Sequence, residues 1–573
     1  MKTTFRFLVT ACFAGMCAVS QAQVRINQVA MYPQQQKTAV VEGKVAASKV
    51  VIRNAKTGKK VVSPKLLRVA TSPWSGKQRT VVDFSRLTTP GSYIVECNGD
   101  QLPFEVKENA LRDVTKGAIK AFYYQRTGMP IEAKYAGKWA RPAGHPDTQV
   151  MIHSSAVSPG RPEGTIISSP YGWYDAGDYN KYIVNSAFTI AVMLDSYEQN
   201  KAYYDALEVN IPESGNQTAD LLDEIMYNLK WMLTMQDPYD GGVYHKLTTP
   251  NFEGFVMPSA CKQQRYVVQK SVTAAYDFAA VMAQAARIYK DNKDYSHFSA
   301  HATSAALAAY NWAENHPNAH YFQDRMNRTF KPAVSTGTYG DFSAKDERFW
   351  AATELYLLTH DEVFAQMAEE NAPNRFTIPV WGSLATLGSF AWMAHAPEHE
   401  LAQRSKQQLL VFCDSVISTT ATSSFQTPNG NNARDFGWGC LAECFGAGGM
   451  ALLYAYQQTG NGKYLTAALQ DAEYILGRNA TGYCYVTGFG SKPTMNPHHR
   501  LSAADGIEDP IPGFLAGGPN PGQQDKASNI SYPSNQPDES YADVTESYAS
   551  NEIAINWNGC LVGLFGWLDA VEK

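Results

Sequence analysis

Three loops carry residues whose types and spacing could do acid–base chemistry. The first reads Tyr171-Gly172-Trp173-Tyr174-Asp175-Ala176-Gly177-Asp178-Tyr179-Asn180-Lys181-Tyr182, two carboxylates around an Ala-Gly pair with aromatics crowding both sides. The second is Lys492-Pro493-Thr494-Met495-Asn496-Pro497-His498-His499-Arg500, where two prolines fix the backbone and present a His-His-Arg triplet. The third spans residues 540–558 and places Asp543, Glu546 and Glu552 ahead of a final apolar helix, Glu552 where its first turn is expected to begin. Spacing alone leaves plainer uses open: N-terminal helix charge for the first and third loops, an ion-pair loop for the second. A metal on His498 and His499 would want further Cys, His or acid ligands nearby. Hydrogen bonding to an uncharged polar substrate suits the triplet equally well. Glycosidic cleavage needs one carboxylic acid to protonate the leaving oxygen and one carboxylate to activate water or attack carbon. Asp175 or Asp178 with Glu552 could fill those roles if the fold brings the loops together.

The elements that must do so fall into two regions. From Val24 to about Val106, alternating runs at residues 24–29, 38–41, 49–53, 80–84 and 92–96 read as strands, separated by turn chemistry such as Thr89-Pro90-Gly91. Several short strands in so few residues fit an immunoglobulin-type β-sandwich. Past Asn109 the period becomes helical: residues 219–236, 271–289, 347–358, 441–458 and 464–476 place apolar side chains three and four apart. About a dozen helical segments with no internal repeat suggest paired helices closing into a toroid rather than a solenoid. Closure would set the first and last helices side by side, and with them the Asp175-to-Asp178 loop and Glu552.

Composition bounds the rest. The 573 residues carry a net charge of −5 without a basic cluster, so nothing asks for nucleic acid or an anionic membrane. Lys2 and Arg6 precede the apolar run 7–19 and the small residues Ser20 and Ala22, the pattern of an export signal cleaved before Gln23. Lipid attachment at Cys12 is the weaker alternative, leaving almost no apolar stretch before the cysteine. The expectation is a protein without a membrane span, secreted or periplasmic. Seven scattered cysteines follow the signal (Cys97, Cys261, Cys413, Cys440, Cys444, Cys484 and Cys560), read as buried free thiols rather than a disulfide scaffold or zinc site.

At these residues the sequence resembles glycoside hydrolase family 9, the endoglucanase and cellobiohydrolase family, over nearly the whole chain after the signal. Residues 173–182 are similar to its Asp-Ala-Gly-Asp loop, Pro497-His498-His499-Arg500 to its histidine signature, and Tyr541, Asp543, Tyr548, Glu552, Ala554 and Asn558 to its C-terminal signature. The resemblance implies a mainly α fold, an (α/α)6 barrel over residues 108–573 preceded by an immunoglobulin-like β-sandwich over residues 23–107, with residues 1–22 as signal. It implies inversion, with Asp178 as general base, Asp175 as its partner on the water and Glu552 as general acid. Asp543 would support the acid, and His498 and Arg500 would hold substrate hydroxyls. His499, Tyr174, Trp173, Trp438 and Tyr548 join the substrate-binding candidates. Gly559 after Asn558 and Cys484 at the start of the histidine signature depart from the family pattern, but neither touches a proton-transfer group.

No cofactor is required on this reading. A structural zinc found in some relatives is not expected, because its ligand positions hold Thr127, Gly144 and Tyr174, leaving only His145. Relatives often carry calcium, and Asp237-Pro238-Tyr239-Asp240-Gly241-Gly242 offers oxygen ligands or a simple turn. The expected partner is a β-glucan polysaccharide or oligosaccharide and the expected state a monomer. Alternatives are an exo-acting β-glucosidase, cellobiohydrolase or exo-glucosaminidase on the same fold, or, from another class, a non-catalytic glycan-binding protein.

Overall fold

In the computed structural model, which describes residues 23–572, the alternating region folds into two four-stranded antiparallel sheets. One has the order β1 (Val24–Arg25), β2 (Thr38–Glu42), β6 (Gln78–Asp83), β5 (Lys65–Thr71). The other runs β4 (Lys60–Val62), β3 (Val51–Asn54), β7 (Gly91–Cys97), β8 (Asp100–Val106). Their inner faces enclose Ile26, Val41, Ile52, Val82, Phe84, Val95 and Phe104. Three strands lie outside the alternating runs read from the sequence, and all three are sheet edges. β5 leaves Leu66 and Leu67 exposed, and β8 contains Pro103, which an edge strand tolerates because its outer N–H has no ladder partner.

The sandwich is not a separate bead. Tyr32 donates from its hydroxyl to Asp569 at 2.7 Å, Gln35 donates to Glu473 at 2.7 Å, and Gln28 donates to the Gly482 carbonyl at 2.8 Å. Ala30, Tyr32, Val40 and Val81 belong to the same apolar core as the helices.

From Arg112 onward the chain is mainly helical, with one small five-stranded sheet of two- and three-residue strands within residues 150–267, and it closes on itself. Helix Ile183–Gln199 packs on Val272–Ile288, which packs on Lys345–Thr359, and that on Ala385–His395. A ring stack of 3.7 Å between Phe390 and Tyr454 carries the inner ring to Gly448–Thr459. Helix Ile555–Val571 contacts both Gly448–Thr459 and Ile183–Gln199, so the circle is complete. Second helices pack outside, among them Phe298–Asn315, Glu362–Asn371, Glu400–Thr419 and Gly462–Ile475. Helix Ile555–Val571 is apolar on nearly every side because it faces neighbours all round, with Asp569 as its lone buried acid. Residues 441–458 depart from the single helix expected: Leu441–Ala447 is a wide π turn before the α-helix resumes.

Six cysteines are buried free thiols and Cys261 is half-buried, also free. The proposed export segment, residues 1–22, lies outside the described residues. Among those described, no helix is long and apolar enough to cross a membrane.

Candidate active site

Ring closure decides where the three loops go. Ala176 pairs with Ala554 as an antiparallel bridge, and His498 pairs with Glu552 as a parallel one. The Ile555 N–H donates to the Asp175 carbonyl at 2.8 Å, the Arg500 N–H to Gly177 at 3.1 Å, and the His498 N–H to Asn551 at 2.9 Å. The small Ala-Gly pair is required here: a Cβ on Gly177 would stand 2.1 Å from the His498 carbonyl oxygen. Neither acidic loop is a helix cap. The helix after the aspartate loop begins at Ile183 with Tyr182 as its N-cap, and the final helix begins at Ile555 with Ala554 as its N-cap. Glu552 therefore does not start the final helix as expected. It sits on an extended residue, held by pairing to the histidine loop, so helix charge is not what places it.

A cavity of about 670 Å³ opens above these loops, and Asp175, Asp178 and Glu552 all line it. Its other walls include Tyr182, Phe252, Tyr339, Trp381, Trp438 and Trp557. Rings with apolar faces and polar edges beside a few acids suit a sugar chain.

The two aspartates are held differently. Asp175 accepts from Asn185 on one oxygen and from the Tyr339 hydroxyl on the other, each at 2.7 Å. Asp178 receives its donors on one oxygen, from the Asn180 N–H at 3.4 Å, the Asn180 amide and the Tyr182 hydroxyl at 3.2 Å. Its second oxygen accepts from no described residue and faces the cavity. Burial pushes the Asp175 carboxyl up to about 8, with the Asp178 charge adding to it and the donations from Asn185 and Tyr339 opposing it. Burial also holds Glu552 well above the usual carboxylate range; the Asp178 charge raises it further, and Arg500 works the other way. Glu552 is half-buried by surface exposure because its one open side is the cavity. The trio thus offers a glutamic acid pushed toward its protonated form beside an aspartate with one free oxygen.

The remaining expected residues divide. Trp438 lines the cavity, and Tyr548 packs against it with ring centroids 5.6 Å apart. His498 donates from Nδ1 to the Thr545 carbonyl at 2.7 Å, which leaves Nε2 as a bare acceptor; burial and then Arg500 lower the ring to about 4, so it is neutral. Asp543 accepts from the Met495 and Asn496 N–H groups and from Asn551, tying the histidine loop to the residue before Glu552. Arg500, expected to hold substrate hydroxyls, instead donates to the Gly177 and Glu253 carbonyls at 2.8 Å each and braces the aspartate loop.

Trp173, Tyr174 and His499, expected at the substrate, point into the protein. Trp173 donates from its indole to Glu224 at 2.8 Å and is fully buried. Tyr174 meets His145 at 2.8 Å, and His499 lies between Ser502 and Gln125.

Several residues that hold the site were not read from the sequence. Asn185 had a visible signal, an amide within the apolar run Ile183-Val184-Asn185. Tyr339 had none, because only the fold carries the Ser335-to-Tyr339 strap to the aspartates. Lys246 pins that strap with donations to Thr336 at 2.9 Å and to the Gly337 carbonyl at 2.6 Å.

Among the described residues no group of three or more His, Cys, Asp or Glu side chains is arranged to hold a metal. The Asp237 loop, where calcium or a simple turn was possible, folds as a turn with its acids already paired. The Lys270 ammonium already sits between Asp237 and Asp240 at 2.7 Å from each. Around His145 the positions expected for zinc ligands are taken up in other contacts: Thr127 donates to the Tyr171 carbonyl and the Tyr174 hydroxyl holds His145. Burial and then the Arg265 charge lower that imidazole to about 3.

The comparisons with known proteins agree with this geometry. The profile described as glycosyl hydrolase family 9 matches residues 112–565, and that described as cellulase N-terminal ig-like domain matches residues 19–102. A xyloglucan-specific endo-β-1,4-glucanase of Bacteroides ovatus is 55% identical over 571 residues, covering 98% of this chain and 96% of the relative. Endoglucanase D of Acetivibrio thermocellus is 32% identical over 559 residues, 94% of this chain and 82% of that one. The solved structure of a Bacteroides ovatus family 9 protein superposes with a TM-score of 0.92 at 54% identity, covering 96% of this chain and 99% of its own. With two helical loops meeting across a closed barrel and the family profile spanning nearly all of it, this chain belongs to glycosyl hydrolase family 9 and has the family's (α/α)6 barrel behind an immunoglobulin-like domain.

Proposed function

We propose that this chain is an inverting endo-β-1,4-glucanase, with Asp178 as general base, Asp175 as its partner on the attacking water and Glu552 as general acid. One observation carries the reading: the three carboxyls line a single open cavity. As the glycosidic C–O bond breaks, Glu552 gives its proton to the leaving oxygen. Water attacks the anomeric carbon from the opposite face and loses a proton to the free oxygen of Asp178, yielding an alcohol and a hemiacetal of inverted configuration. Asp175, fixed by Asn185 and Tyr339, turns one acceptor toward the same water. No cofactor enters these steps. His498 and Trp438 contact the sugar, while Asp543 and Arg500 act as positioning residues through the loops they tie.

Relatives named as endoglucanases support internal cleavage of β-glucans, with xyloglucan among the substrates. The test is proton NMR of cellohexaose hydrolysis: the α-anomer should form first, and early β-anomer would overturn the mechanism. A second reading has one observation in its favour. Glu443 is a further carboxyl on the cavity wall, which an exo-acting glucosaminidase would use to hold an amine. Release of glucosamine from chitosan oligomers, without cleavage within cellohexaose, would select it.

We further infer that the enzyme works as a monomer, exported to the periplasm or beyond, where polysaccharide is met. The immunoglobulin-like domain braces the barrel. Tyr32→Phe and Gln35→Ala each remove one buried inter-domain hydrogen bond and should cost about 1 kcal/mol of stability. The KM for cellohexaose should stay unchanged.

A further inference from the structure

Beside the main cavity lies a chamber of about 290 Å³ that the mechanism does not use. Its walls include Ile378, Val380, Arg434, Asp435, Trp438 and Glu443. Trp438 and Glu443 also line the main cavity, so the two spaces meet at that pair. Glu443 reaches this place from the wide turn Leu441–Ala447, a backbone irregularity of the kind that recurs at functional sites.

The chamber's chemistry is that of a sugar socket. Ile378, Val380 and the indole of Trp438 form an apolar side. On the same chamber's walls, Glu443 and the Arg434 guanidinium make no hydrogen bond to any described residue. Asp435 accepts from the Asn431 and Asn432 N–H groups on one oxygen at 3.0 Å each and leaves the other free. Burial pushes Glu443 up to about 7, so near neutrality it can donate as well as accept. The chamber is under half the volume of the main cavity, too small for a second glucan chain and suited to one ring. Arginine beside two acids gives no excess positive charge to attract an acidic sugar.

We propose that this chamber receives a single neutral sugar branching from the glucan main chain, packed on Trp438 and hydrogen-bonded by Glu443, Arg434 and Asp435. The enzyme thereby prefers a branched over an unbranched β-1,4-glucan. This rests on the endoglucanase reading of the main cavity. The experiment compares kcat/KM on cellotetraose carrying α-1,6-linked xylose with that on plain cellotetraose. It uses the full chain and two variants, Val380→Trp, which fills the chamber, and Arg434→Ala, which removes an exposed side chain without a structural partner.

The parent enzyme should favour the branched substrate. The branched-to-plain ratio should fall about tenfold in Val380→Trp and about threefold in Arg434→Ala, the scale of a filled or depolarised sugar pocket. A ratio unchanged in both variants, with both substrates still cut, would overturn the chamber's role and leave the main cavity's reading intact. Failure of the parent to cut either substrate would overturn both.

Discussion

Two groups of acids lie in this barrel, and only one of them faces a void. In the cavity, Asp175, Asp178 and Glu552 share space with Tyr339 and Tyr182, and with the buried Asn185 behind them these donate to chosen aspartate oxygens and leave one oxygen of Asp178 free. Between helices Val272–Ile288 and Lys345–Thr359 stand Asp277 and Glu347, with Asp346 and Asp341 nearby. Both oxygens of Asp277 and one of Glu347 are buried without a partner. Burial holds both carboxyls well above the ordinary range, and neighbouring acids push them further. By pKa direction alone, Glu552, Asp277 and Glu347 are indistinguishable. What separates them is an opening for substrate and donors that decide which carboxyl ionises. A displaced pKa therefore marks burial first and chemistry second.

The comparison breaks most sharply at the acid. Glu552→Gln should lower kcat on cellohexaose by roughly a hundredfold to ten-thousandfold, the range for losing a positioned proton donor. Its Tm should hold or rise, because a desolvated carboxyl is replaced by a neutral amide. Asp178→Asn should cost roughly a hundredfold or more by the same accounting, again without unfolding. Comparable activity in either variant would remove it from the proposed roles.

A smaller effect sharpens the role of the donors. Tyr339→Phe deletes a hydrogen bond that stabilises ionised Asp175, so the aspartate pair should hold its extra proton to higher pH. The acidic limb of the kcat profile should move upward, with a loss of about tenfold at neutral pH. A merely structural tyrosine would lower Tm and leave that limb in place.

The smallest effect on activity belongs to the closed group. Asp277→Asn should leave kcat within about twofold, since it touches no reacting atom. Stability tells the groups apart. With a folded pKa above its unfolded one, Asp277 adds stability in full below the unfolded value near 3.9, and that contribution is lost as pH rises toward the folded value. Melts in EDTA from pH 5 to 9 should show a declining parent Tm and a flatter one for Asp277→Asn. Calcium that raised the parent's Tm at high pH, but not the variant's, would instead assign the closed group a cation.

How much of this was legible in the chain follows from side-chain direction. The aspartate and glutamate loops stood out because acids among aromatics are poor solvated caps, and the helical period with no repeat pointed to a closed ring. The strands read from the sequence are those rich in buried β-branched residues, whereas the edge strands β4, β5 and β8 escaped because much of their surface is exposed and polar residues interrupt them. Aromatic crowding was misleading at Trp173 and Tyr174: composition cannot say which way a loop residue faces, and both fill the core beside Glu224 and His145. His499 and Arg500 are adjacent to His498 in sequence, yet His499 turns to Gln125 and Ser502 and Arg500 to the Gly177 and Glu253 carbonyls.

By itself the sequence determined the two regions, the closed helical architecture and which loops hold acids, because local periodicity and residue chemistry are properties of neighbours along the chain. Only the tertiary structure decided which carboxyl oxygen is free, why Tyr339 and Asn185 matter, and that Glu443 opens onto a side chamber. Those depend on groups brought together from distant positions, and their hydrogen bonds and desolvation exist only once the ring has closed.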